Sequence, residues 1–476
     1  MNMTLQNARP GRTRAAAGGS PVGRKVMAGL LGAVLTATAA WGQLNYATPY
    51  AFVTLAGSFG GAGFADGTNA AAEFYFPLGA AVDTNHNVYV VDNYYNTVRV
   101  LAPAGTNWVV GTLAGNTNAS GSINGTNLDA EFNEPTAVAL DGAGNLYVAD
   151  GGNNLLRELT PQGTNWVSST LAGTVGSTDG RDGTNTAAHF SYPCGVAVDQ
   201  AGRVYVADTY NNTIRLVTPQ GTNWVVTTIA GQAGVAGAND GTNQAALFAQ
   251  PAGIAVDQGG NVYVADSGNY TLRELTPAGT NWVVKTIAGT AGDFGGVDGT
   301  NGAAAFFCPI LFYGPMGLAV DAQTNLYVAD GGNGLIRKVS PVGTNWVTTT
   351  LAGLVGAPAG SGDGTGANAI FGSPSGIAVD AAGNVFVSDP GANTVREGSL
   401  PSASNPVTSL AISWTGANPD NVVIAWPATG TWLLQTNADL ATPNWGVYGG
   451  AVNTANGTNS VTLPPSAPTL FFRLAH

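Results

Sequence analysis

The sequence predicts an all-β fold, a six-bladed β-propeller followed by a small β-sandwich-like domain, and three observations support this prediction. The first is a motif that ends in Y-V-A-D or a close variant and recurs six times. Its last residues are Asp92, Asp150, Asp208, Asp266, Asp330 and Asp389, separated by 58 residues three times, then by 64 and 59. A fixed period of this length indicates a repeat architecture in which each unit is one supersecondary element.

The second observation is the composition of a single repeat. In the third repeat, four short runs follow one another: CGVAVD, RVYVAD, TIRLVTP and WVVTTIAG. They are rich in Val, Ile, Thr and Tyr and are bounded by Gly, Asn, Asp or Pro, which is the pattern of strands joined by turns. The first run consists of small residues, as expected where several blades crowd near an axis. Four antiparallel strands per unit, repeated radially, describe a propeller blade.

The third observation is a mismatch between the two ends of the repeat array. One L-A-G ending, in the segment Ala51–Gly57, precedes the first repeat, whereas the sixth repeat stops after its third strand at Leu400. The N-terminal segment is therefore expected to pair into the sixth blade and close the ring. Closure removes both open sheet edges, which otherwise act as templates for aggregation. We expect the propeller to span residues 43–400.

The repeat resembles the NHL repeat in its succession P-x-G-I-A-V-D, G-N-V-Y-V-A-D and N-T-I-R. The further elements T-I-A-G, D-G-T-N and A-x-F-x-x-P resemble an extended form of that repeat found in exported bacterial proteins. The resemblance covers residues 51–400 and implies a six-bladed propeller. NHL propellers bind proteins or RNA, and related six-bladed propellers are lyases and lactonases. The resemblance therefore implies a fold and leaves the function open.

The two ends of the chain fall outside the repeats. Residues 1–42 combine five basic residues with an apolar run that begins at Val26 and is followed by small residues, which predicts a secretory signal peptide. The alternative, a membrane anchor, would need an apolar run of roughly 20 residues. Residues 401–406 are predicted to be a linker, and residues 407–476 a small β-sandwich-like module with five or six short strands. We expect an extracytoplasmic protein, whether secreted, periplasmic or at the cell surface.

The charge balance limits the classes of partner. The net charge is −12, and charged residues make up only 9% of the chain. An acidic surface argues against nucleic acid and anionic membranes as partners. We expect a monomer that binds a protein or a glycan, with no membrane insertion after signal cleavage and no cofactor. Weak binding of Ca²⁺ is the one cofactor alternative, because the D-G-T-N turns carry aspartates, although they lack the D-x-D-x-D-G pattern of a calcium loop.

Residues that recur at one position in every repeat are expected to be scaffold, because one active site needs only one copy. Each Y-V-A-D aspartate is followed seven residues later by an arginine that is expected to pair with it or with nearby carbonyls. These arginines are Arg99, Arg157, Arg215, Arg273, Arg337 and Arg396. The five G-T-N-W tryptophans are expected to pack between blades. They are Trp108, Trp166, Trp224, Trp282 and Trp346.

Departures from the repeat are expected on one rim of the propeller. This rim, here called the long-loop face, holds the connections between blades and the turns that follow Y-V-A-D. The opposite rim, the hairpin face, holds the short G-N and T-P-x-G-T-N turns. One position on the long-loop face, directly before a recurring phenylalanine, varies most. Its occupants are predicted to be Glu73, Glu131, His189, Leu247, Phe306 and Ile370.

The fifth repeat carries an insertion of five mostly apolar residues between Phe307 and Pro315. Within it, Ile310, Leu311, Phe312 and Tyr313 are predicted either to plug the channel or to anchor a partner. Together with His189, Glu73 and Glu131, these residues form the predicted binding site. If they bind a partner, replacing Phe312 and Tyr313 by Ala is expected to abolish binding with little effect on the melting temperature.

The function predicted from these features is that of a non-enzymatic scaffold that binds a protein or glycan on its long-loop face. The alternative is a channel-mouth hydrolase or lyase of lactonase type that uses a divalent metal held by carboxylates. Its candidate ligands are Glu73, Asp129, Glu131 and Glu134. Histidines are too few for a histidine-rich metal site, since the chain has only three, and His86 is expected on the hairpin face. Cys194 and Cys308 are expected to be free and buried, with a disulfide as the alternative.

Overall fold

The computed structural model describes residue 46, residues 48–307 and residues 317–401, together with seven short segments after residue 410. These segments are 411–415, 421–427, 433–437, 446–447, 452–455, 458–463 and 471–475. The predicted signal peptide, most of the predicted linker, Cys308 and the insertion Ile310–Tyr313 lie outside the described residues. Within residues 46–401, six antiparallel sheets form the six blades of a β-propeller.

Each blade contains four main strands, numbered here from the central axis outwards. In blades 1 to 3 they are Pro77–Val82, Val88–Asp92, Thr97–Ala104 and Asn107–Ala114; Pro135–Leu140, Leu146–Asp150, Leu155–Gln162 and Asn165–Gly173; Gly195–Val198, Val204–Asp208, Thr213–Gln220 and Asn223–Gly231. In blades 4 to 6 they are Pro251–Val256, Val262–Asp266, Thr271–Ala278 and Asn281–Ala288; Leu318–Val320, Leu326–Asp330, Leu335–Val342 and Asn345–Gly353; Ile377–Val379, Val385–Asp389, Thr394–Ser399 and Ala51–Gly57. The all-β, six-bladed fold predicted from the sequence is confirmed.

The N-terminal strand closes the ring as predicted. Ala51–Gly57 runs antiparallel to Thr394–Ser399 and forms the fourth strand of blade 6. The Thr54 backbone N–H and hydroxyl both donate to the Asp363 carboxylate, at 3.1 and 2.8 Å, which ties the strand to the last long connection. The sixth blade is therefore built from both ends of the repeat array, and its last strand edge is covered.

The connections between blades contain short regular elements. Five of them add a two-residue strand outside the fourth strand of the blade that follows: Gly67–Thr68, Gly183–Thr184, Gly241–Thr242, Gly299–Thr300 and Gly364–Thr365. The 3-10 helices of these connections are Asn69–Ala71, Asn127–Asp129, Asn185–Ala187, Asn243–Ala245, Asn301–Ala303 and Gly366–Asn368. Two others, Gly151–Asn153 and Thr209–Asn211, lie in turns between second and third strands. In blade 2, where the turn reads N-G-T-N, the Asn127 side chain accepts a hydrogen bond from the Trp166 backbone N–H at 2.7 Å. The turn therefore fixes the start of the fourth strand.

The first strands line a narrow cavity of about 60 Å³ along the axis. Small residues are required there because neighbouring blades approach backbone to backbone. A Cβ atom added to Gly79 would lie 2.5 Å from the Ala137 Cα of the next blade, closer than any side chain tolerates. The predicted placement of the small first run near the axis is confirmed.

The tryptophans of the G-T-N-W turns pack between blades, as predicted. Each ring meets an aromatic ring on the second strand of the preceding blade with centroids 5.8 to 6.4 Å apart. For example, Trp166 of blade 2 contacts Tyr89 of blade 1 edge to face at 6.1 Å. These contacts repeat around the ring and belong to the scaffold.

The described segments after residue 410 form two antiparallel sheets. One has the strand order Ala411–Thr415, Asn421–Pro427, Thr458–Leu463 and Asn453–Ala455, and the other Gly446–Val447, Leu433–Asn437 and Phe471–Ala475. The strands agree with the predicted β content of this part, whereas its assignment as a sandwich module stays a prediction. Among the residues that the structure describes, none forms a helix long and apolar enough to cross a membrane.

Candidate functional site

The repeated arginines form a buried clamp that supports the long-loop face. In blade 2, the Arg157 guanidinium donates to Asp150 Oδ2 at 2.9 Å and to Asn124 Oδ1 at 2.8 Å. It also donates to the backbone carbonyls of Glu131 and Ile123, and it lies over the Phe132 ring at 5.0 Å. The arginine is fully buried. It therefore joins the second strand, the third strand and the long connection of its blade.

A buried arginine occupies this position in all six blades, although its partners differ slightly from blade to blade. In five of them, the aspartate of the D-G-T-N segment or its variant pairs with the arginine where blade 2 has Asn124. These aspartates are Asp66, Asp182, Asp240, Asp298 and Asp363. The prediction that the Y-V-A-D arginines and aspartates pair with each other is confirmed for five blades at N–O distances between 2.6 and 3.4 Å. Because the guanidinium already neutralises these aspartates, their repeated geometry serves the scaffold.

Among the five blades in which the arginine pairs directly with the Y-V-A-D aspartate, blade 1 has the longest ion pair. In blade 2, Asp150 also accepts a hydrogen bond from the Asn153 side chain at 2.8 Å, and burial raises the pKa of Asp150 to about 6. Blade 1 has Tyr95 at the position of Asn153, and the distance from Arg99 to Asp92 is 3.4 Å. Burial raises the pKa of Asp92 to about 7. The missing amide donor and the longer ion pair both favour the neutral form of Asp92.

A second device orients side chains on the long-loop face. In blades 1 to 4 the residue before the proline of the first strand has a positive φ, although none is glycine. These residues are Phe76 (61°), Glu134 (47°), Tyr192 (48°) and Gln250 (48°). In each case its backbone N–H donates to an asparagine side chain of the preceding blade, at 2.8 to 3.2 Å. At these four positions the preceding blade therefore holds the next one in a strained conformation, and each position projects a different side chain.

An aromatic cluster occupies the long-loop face of blade 1. The Tyr75 and Tyr94 rings lie 4.1 Å apart between centroids, and Phe64 and Tyr95 lie 5.0 Å apart. Tyr94 is 60% exposed. The cluster borders a cleft of about 460 Å³ between blades 1 and 2, whose other side includes Glu134. Volumes of this order are typical of small-molecule sites.

Further exposed rings lie on the same face. Tyr210 stacks on Tyr192 in blade 3 at 5.2 Å and 17°. Phe294 lies 5.7 Å from Tyr270 and 5.4 Å from Phe307. Sequence reasoning did not find Tyr94 or Tyr210, although a signal exists. Both stand two residues after a Y-V-A-D aspartate, where the other four repeats have glycine.

The predicted variable positions are distributed around the ring, one to a blade, and the structure corrects one of them. The Glu73 and Glu131 carboxylates lie over Gly63 and Gly121 of their own connections. In the other five blades, the clamp arginine donates to the carbonyl of the residue at the variable position. In blade 5, Arg337 lies over the Phe306 ring and donates to the Ala305 carbonyl. The variable residue is therefore Ala305, and Phe306 is the recurring, fully buried phenylalanine. The prediction that placed Phe306 at the variable position was wrong.

His189 is held within its own loop. Its Nδ1 lies 2.6 Å from Asp179 Oδ1, and its Nε2 lies 2.9 Å from an Arg181 nitrogen. The residue is only 9% exposed. The hydrogen bond from His189 lowers the pKa of Asp179. His86 lies on the hairpin face as predicted, 3.2 Å from Asp380 of blade 6.

The four carboxylates of the predicted metal alternative lie in different surroundings. Asp129 is exposed on a 3-10 helix. Glu131 lies over Gly121, and Glu134 accepts a hydrogen bond from the Tyr192 hydroxyl at 3.0 Å. Within the described part of the chain, no three His, Cys, Asp or Glu residues form a group that could hold a metal ion. The binding of Ca²⁺ stays a prediction.

Two other predicted features are only partly covered by the structure. Cys194 is a buried free thiol, and burial raises its pKa to about 11. Its predicted alternative partner, Cys308, lies outside the described residues. So do Ile310, Leu311, Phe312 and Tyr313, whose proposed role therefore stays a prediction.

Comparisons with known proteins agree with this geometry. The model of the NHL repeat matches residues 190–215 and 248–275, which include the recurring phenylalanine and the Y-V-A-D aspartate and arginine of blades 3 and 4. The chain is 30% identical over 294 residues to the chloroplastic protein SUPPRESSOR OF QUENCHING 1 of Arabidopsis thaliana. That match covers 60% of this chain, and it spans about a quarter (26%) of the length of this curated relative.

Two solved structures share the fold. A protein of unknown function from Bacteroides thetaiotaomicron superposes with a TM-score of 0.56 at 21% identity, over 74% of this chain and 76% of that chain. An auxiliary nutrient binding protein from the same organism superposes with a TM-score of 0.54 at 16% identity, again over 74% and 76%. At these identities the likeness concerns the fold alone. This chain is thus similar to these proteins in architecture, and it is a six-bladed β-propeller that contains NHL repeats.

Proposed function

We propose that this chain is an exported, non-enzymatic scaffold that binds a protein or glycan partner on its long-loop face. The observation that supports the proposal most directly is the contrast between repeated and unrepeated residues. The arginines and aspartates that recur in every blade are buried and bind one another or nearby backbone groups. The exposed rings of Tyr94, Tyr210 and Phe294, at 57 to 62% exposure, do not recur in this way. Rigid strands that present variable loops are a usual arrangement for recognition.

The chemistry of these exposed groups favours binding over catalysis. Tyrosine and phenylalanine rings bind ligands by stacking and by burying apolar area. Asparagine amides donate and accept hydrogen bonds but do not titrate near neutral pH. His189, the histidine predicted for this face, has both ring nitrogens engaged by Asp179 and Arg181. These features support a binding surface whose partner has yet to be identified.

The proposal can be tested by capture of partners with four charged variants. The full chain is used in a pull-down from culture and in a glycan array. Tyr94→Arg, Tyr210→Arg and Phe294→Arg each alter a different sector of the long-loop face. Val342→Arg is the matched control, because Val342 is 58% exposed and lies on the hairpin face. At least one of the first three variants is expected to abolish capture, and the control is expected to retain it.

Two results would contradict the proposal. Loss of capture in Val342→Arg with retention in all three other variants would place the binding surface on the hairpin face. Hydrolysis of a lactone that requires added Ca²⁺ or Mg²⁺ and is lost in Glu131→Gln would favour the channel-mouth hydrolase instead.

Export is the second part of the proposal and is supported by the basic stretch and apolar run before residue 43. Mass spectrometry of the protein isolated from its natural source is expected to find an N-terminus near Ala40 or Gln43. An intact N-terminus on protein recovered from the cytoplasm would contradict this part.

A further inference from the structure

We infer that the cleft between blades 1 and 2 binds a neutral carbohydrate, with Tyr94 as the stacking platform. This inference rests on the proposed function and specifies its ligand class and location. The cleft has a volume of about 460 Å³, and its lining combines aromatic rings with asparagine side chains and one carboxylate. A few polar groups set among aromatic rings give orientation and specificity in small-molecule sites.

The aromatic wall is preorganised. The Tyr94 backbone N–H donates to the Tyr75 carbonyl at 3.3 Å, and the Asn93 N–H donates to the Phe76 carbonyl at 3.1 Å. Tyr94 also meets Tyr95 edge to face at 5.5 Å and 82°. The rings therefore support one another while Tyr94 stays 60% exposed. A rigid exposed ring loses little conformational entropy when a ligand covers it.

The polar side of the cleft is held in place by the neighbouring blade. Asn96 accepts the Glu134 backbone N–H at 2.8 Å through Oδ1, so its Nδ2 group remains available to donate. Glu134 receives the Tyr192 hydroxyl on Oε2, and its other oxygen can accept a ligand hydroxyl. Both Phe76 and Glu134 have positive φ values, 61° and 47°. The same conformation recurs at Tyr192 and Gln250, so it fixes both walls of the cleft without distinguishing this cleft from the others.

The charge and polarity of the lining select the ligand class. Glu134 is the only charged residue in the lining, and it carries a negative charge, which disfavours phosphates and acidic sugars. A purely apolar ligand would cover the Asn96 Nδ2 group and the Asn133 amide without offering them hydrogen bonds, at a cost in desolvation. A neutral sugar ring offers apolar C–H groups to Tyr94 and hydroxyls to the amides. Such a ligand therefore contacts both the aromatic side and the polar side of the cleft.

The test uses the full chain and neutral oligosaccharides of glucose, xylose and mannose, first on an array and then by titration calorimetry. Tyr94→Ala is expected to weaken the affinity for the best oligosaccharide by about tenfold or more, whereas Tyr94→Trp retains it. Tyr210→Ala tests whether the equivalent tyrosine of blade 3 binds the sugar instead, and Val342→Ala on the hairpin face is the control outside the candidate surface. Tyr210 stands at the equivalent position of blade 3, is 57% exposed and contacts another tyrosine. It is expected to change the affinity by less than about threefold.

The outcomes separate this inference from the proposed function. Capture of a protein partner through the long-loop face, with no binding of any neutral oligosaccharide, would overturn the inference and leave the proposed function intact. Sugar binding that is lost in Tyr210→Ala and kept in Tyr94→Ala would also overturn it. Tight binding of choline or a lysine-rich peptide that Glu134→Gln abolishes would assign the cleft to cations instead.

Discussion

Two neighbouring parts of every blade, the third strand and the turn before it, differ in how they vary around the ring. The third strand carries an arginine in all six blades, and each arginine is fully buried. The turn, two residues after the Y-V-A-D aspartate, carries glycine in four blades and Tyr94 or Tyr210 in the other two. Both tyrosines are more than half exposed. The side chains that recur in all six blades are therefore buried, whereas the side chains that occur in only two blades are exposed.

The glycines at this turn show why most blades cannot carry a ring there. A Cβ added to Gly152 would lie 2.6 Å from the Asn133 amide, and one added to Gly268 would lie 2.6 Å from the Ala249 carbonyl. In blade 1 the residue at the position of Asn133 is Tyr75, whose ring stacks with Tyr94 instead. In blade 1 the tyrosine at this turn is thus accompanied by a change in the neighbouring residue that it contacts.

Removing the strand that closes the ring has the largest expected effect on the scaffold. Deletion of residues 43–57 removes the fourth strand of blade 6 and the buried Phe52 ring, which meets Phe371 edge to face at 5.0 Å. The third strand of that blade would become an open edge, so we expect aggregation or a large loss of thermal stability. Light scattering and thermal unfolding measure this. Val53→Ala, which alters a half-exposed residue of the same strand, is the control and is expected to leave both unchanged.

A monomeric deletion variant with an unchanged melting temperature would contradict closure by this strand.

The clamp is expected to show the next largest effect. Arg157→Met leaves the buried Asp150 without its cation, at an expected cost of about 3–5 kcal/mol in the free energy of unfolding. Arg203→Met is the matched control, since Arg203 also pairs with an aspartate, Asp199, at 2.7 Å but its side chain is 41% exposed. Its cost is expected to be below about 1 kcal/mol. Chemical denaturation measures both, and equal losses would show that burial does not distinguish the two pairs.

The fold could be predicted from the sequence because the repeats provide an alignment within one chain. Six copies identified the strand boundaries, the buried pairs and the missing fourth strand of the last blade. The same comparison failed at Phe306 and Phe307, because two adjacent phenylalanines can both be matched to one repeat position. The position of Arg337 over the Phe306 ring and the hydrogen bond from Phe307 N–H to Asp330 at 2.9 Å show which phenylalanine matches the other repeats.

The candidate site was harder to predict than the fold. From the sequence, the turn after Y-V-A-D belongs to the long-loop face, but the variation predicted there concerned only the position before the recurring phenylalanine and the insertion, so the departure at Tyr94 carried no weight. It also could not show that Asn96 of blade 1 holds Glu134 of blade 2, because that contact joins residues 38 positions apart across a blade boundary. Clefts between blades depend on such contacts, and they become visible only when the blades are placed side by side.

The asparagines that hold the next blade are expected to have a moderate effect. Asn154 has φ 59° and accepts the Tyr192 backbone N–H of blade 3 at 2.8 Å. Asn154→Gly keeps the backbone conformation favourable but removes this bond, at an expected cost of about 1–2 kcal/mol. Thr324→Gly is the control, because it replaces a β-branched residue at φ 65° on the hairpin face. That change is expected to be neutral or stabilising, and an equal loss in both variants would argue against the role of the asparagine bond.

The smallest expected effect depends on pH and concerns the weak clamp of blade 1. Tyr95→Asn supplies Asp92 with the amide donor that Asp150 has in blade 2, so we expect the pKa of Asp92 to fall from about 7 towards 6. An aspartate in the unfolded chain has a pKa of about 3.9. Because the folded value is raised, the contribution of Asp92 to stability is full below about pH 4 and is lost as the pH rises through 7.

Lowering the folded pKa by one unit therefore restores about 1.4 kcal/mol at pH 8 and almost nothing at pH 5. The variant also loses the contacts of the Tyr95 ring with Phe64 and Tyr94, but that loss does not depend on pH in this range. The diagnostic measurement is the difference between the unfolding free energies of variant and wild type at pH 8 and at pH 5. Tyr94→Asn, which adds an amide one residue away, is expected to show no such difference. If Tyr95→Asn behaves in the same way, the missing amide does not contribute to the raised pKa of Asp92.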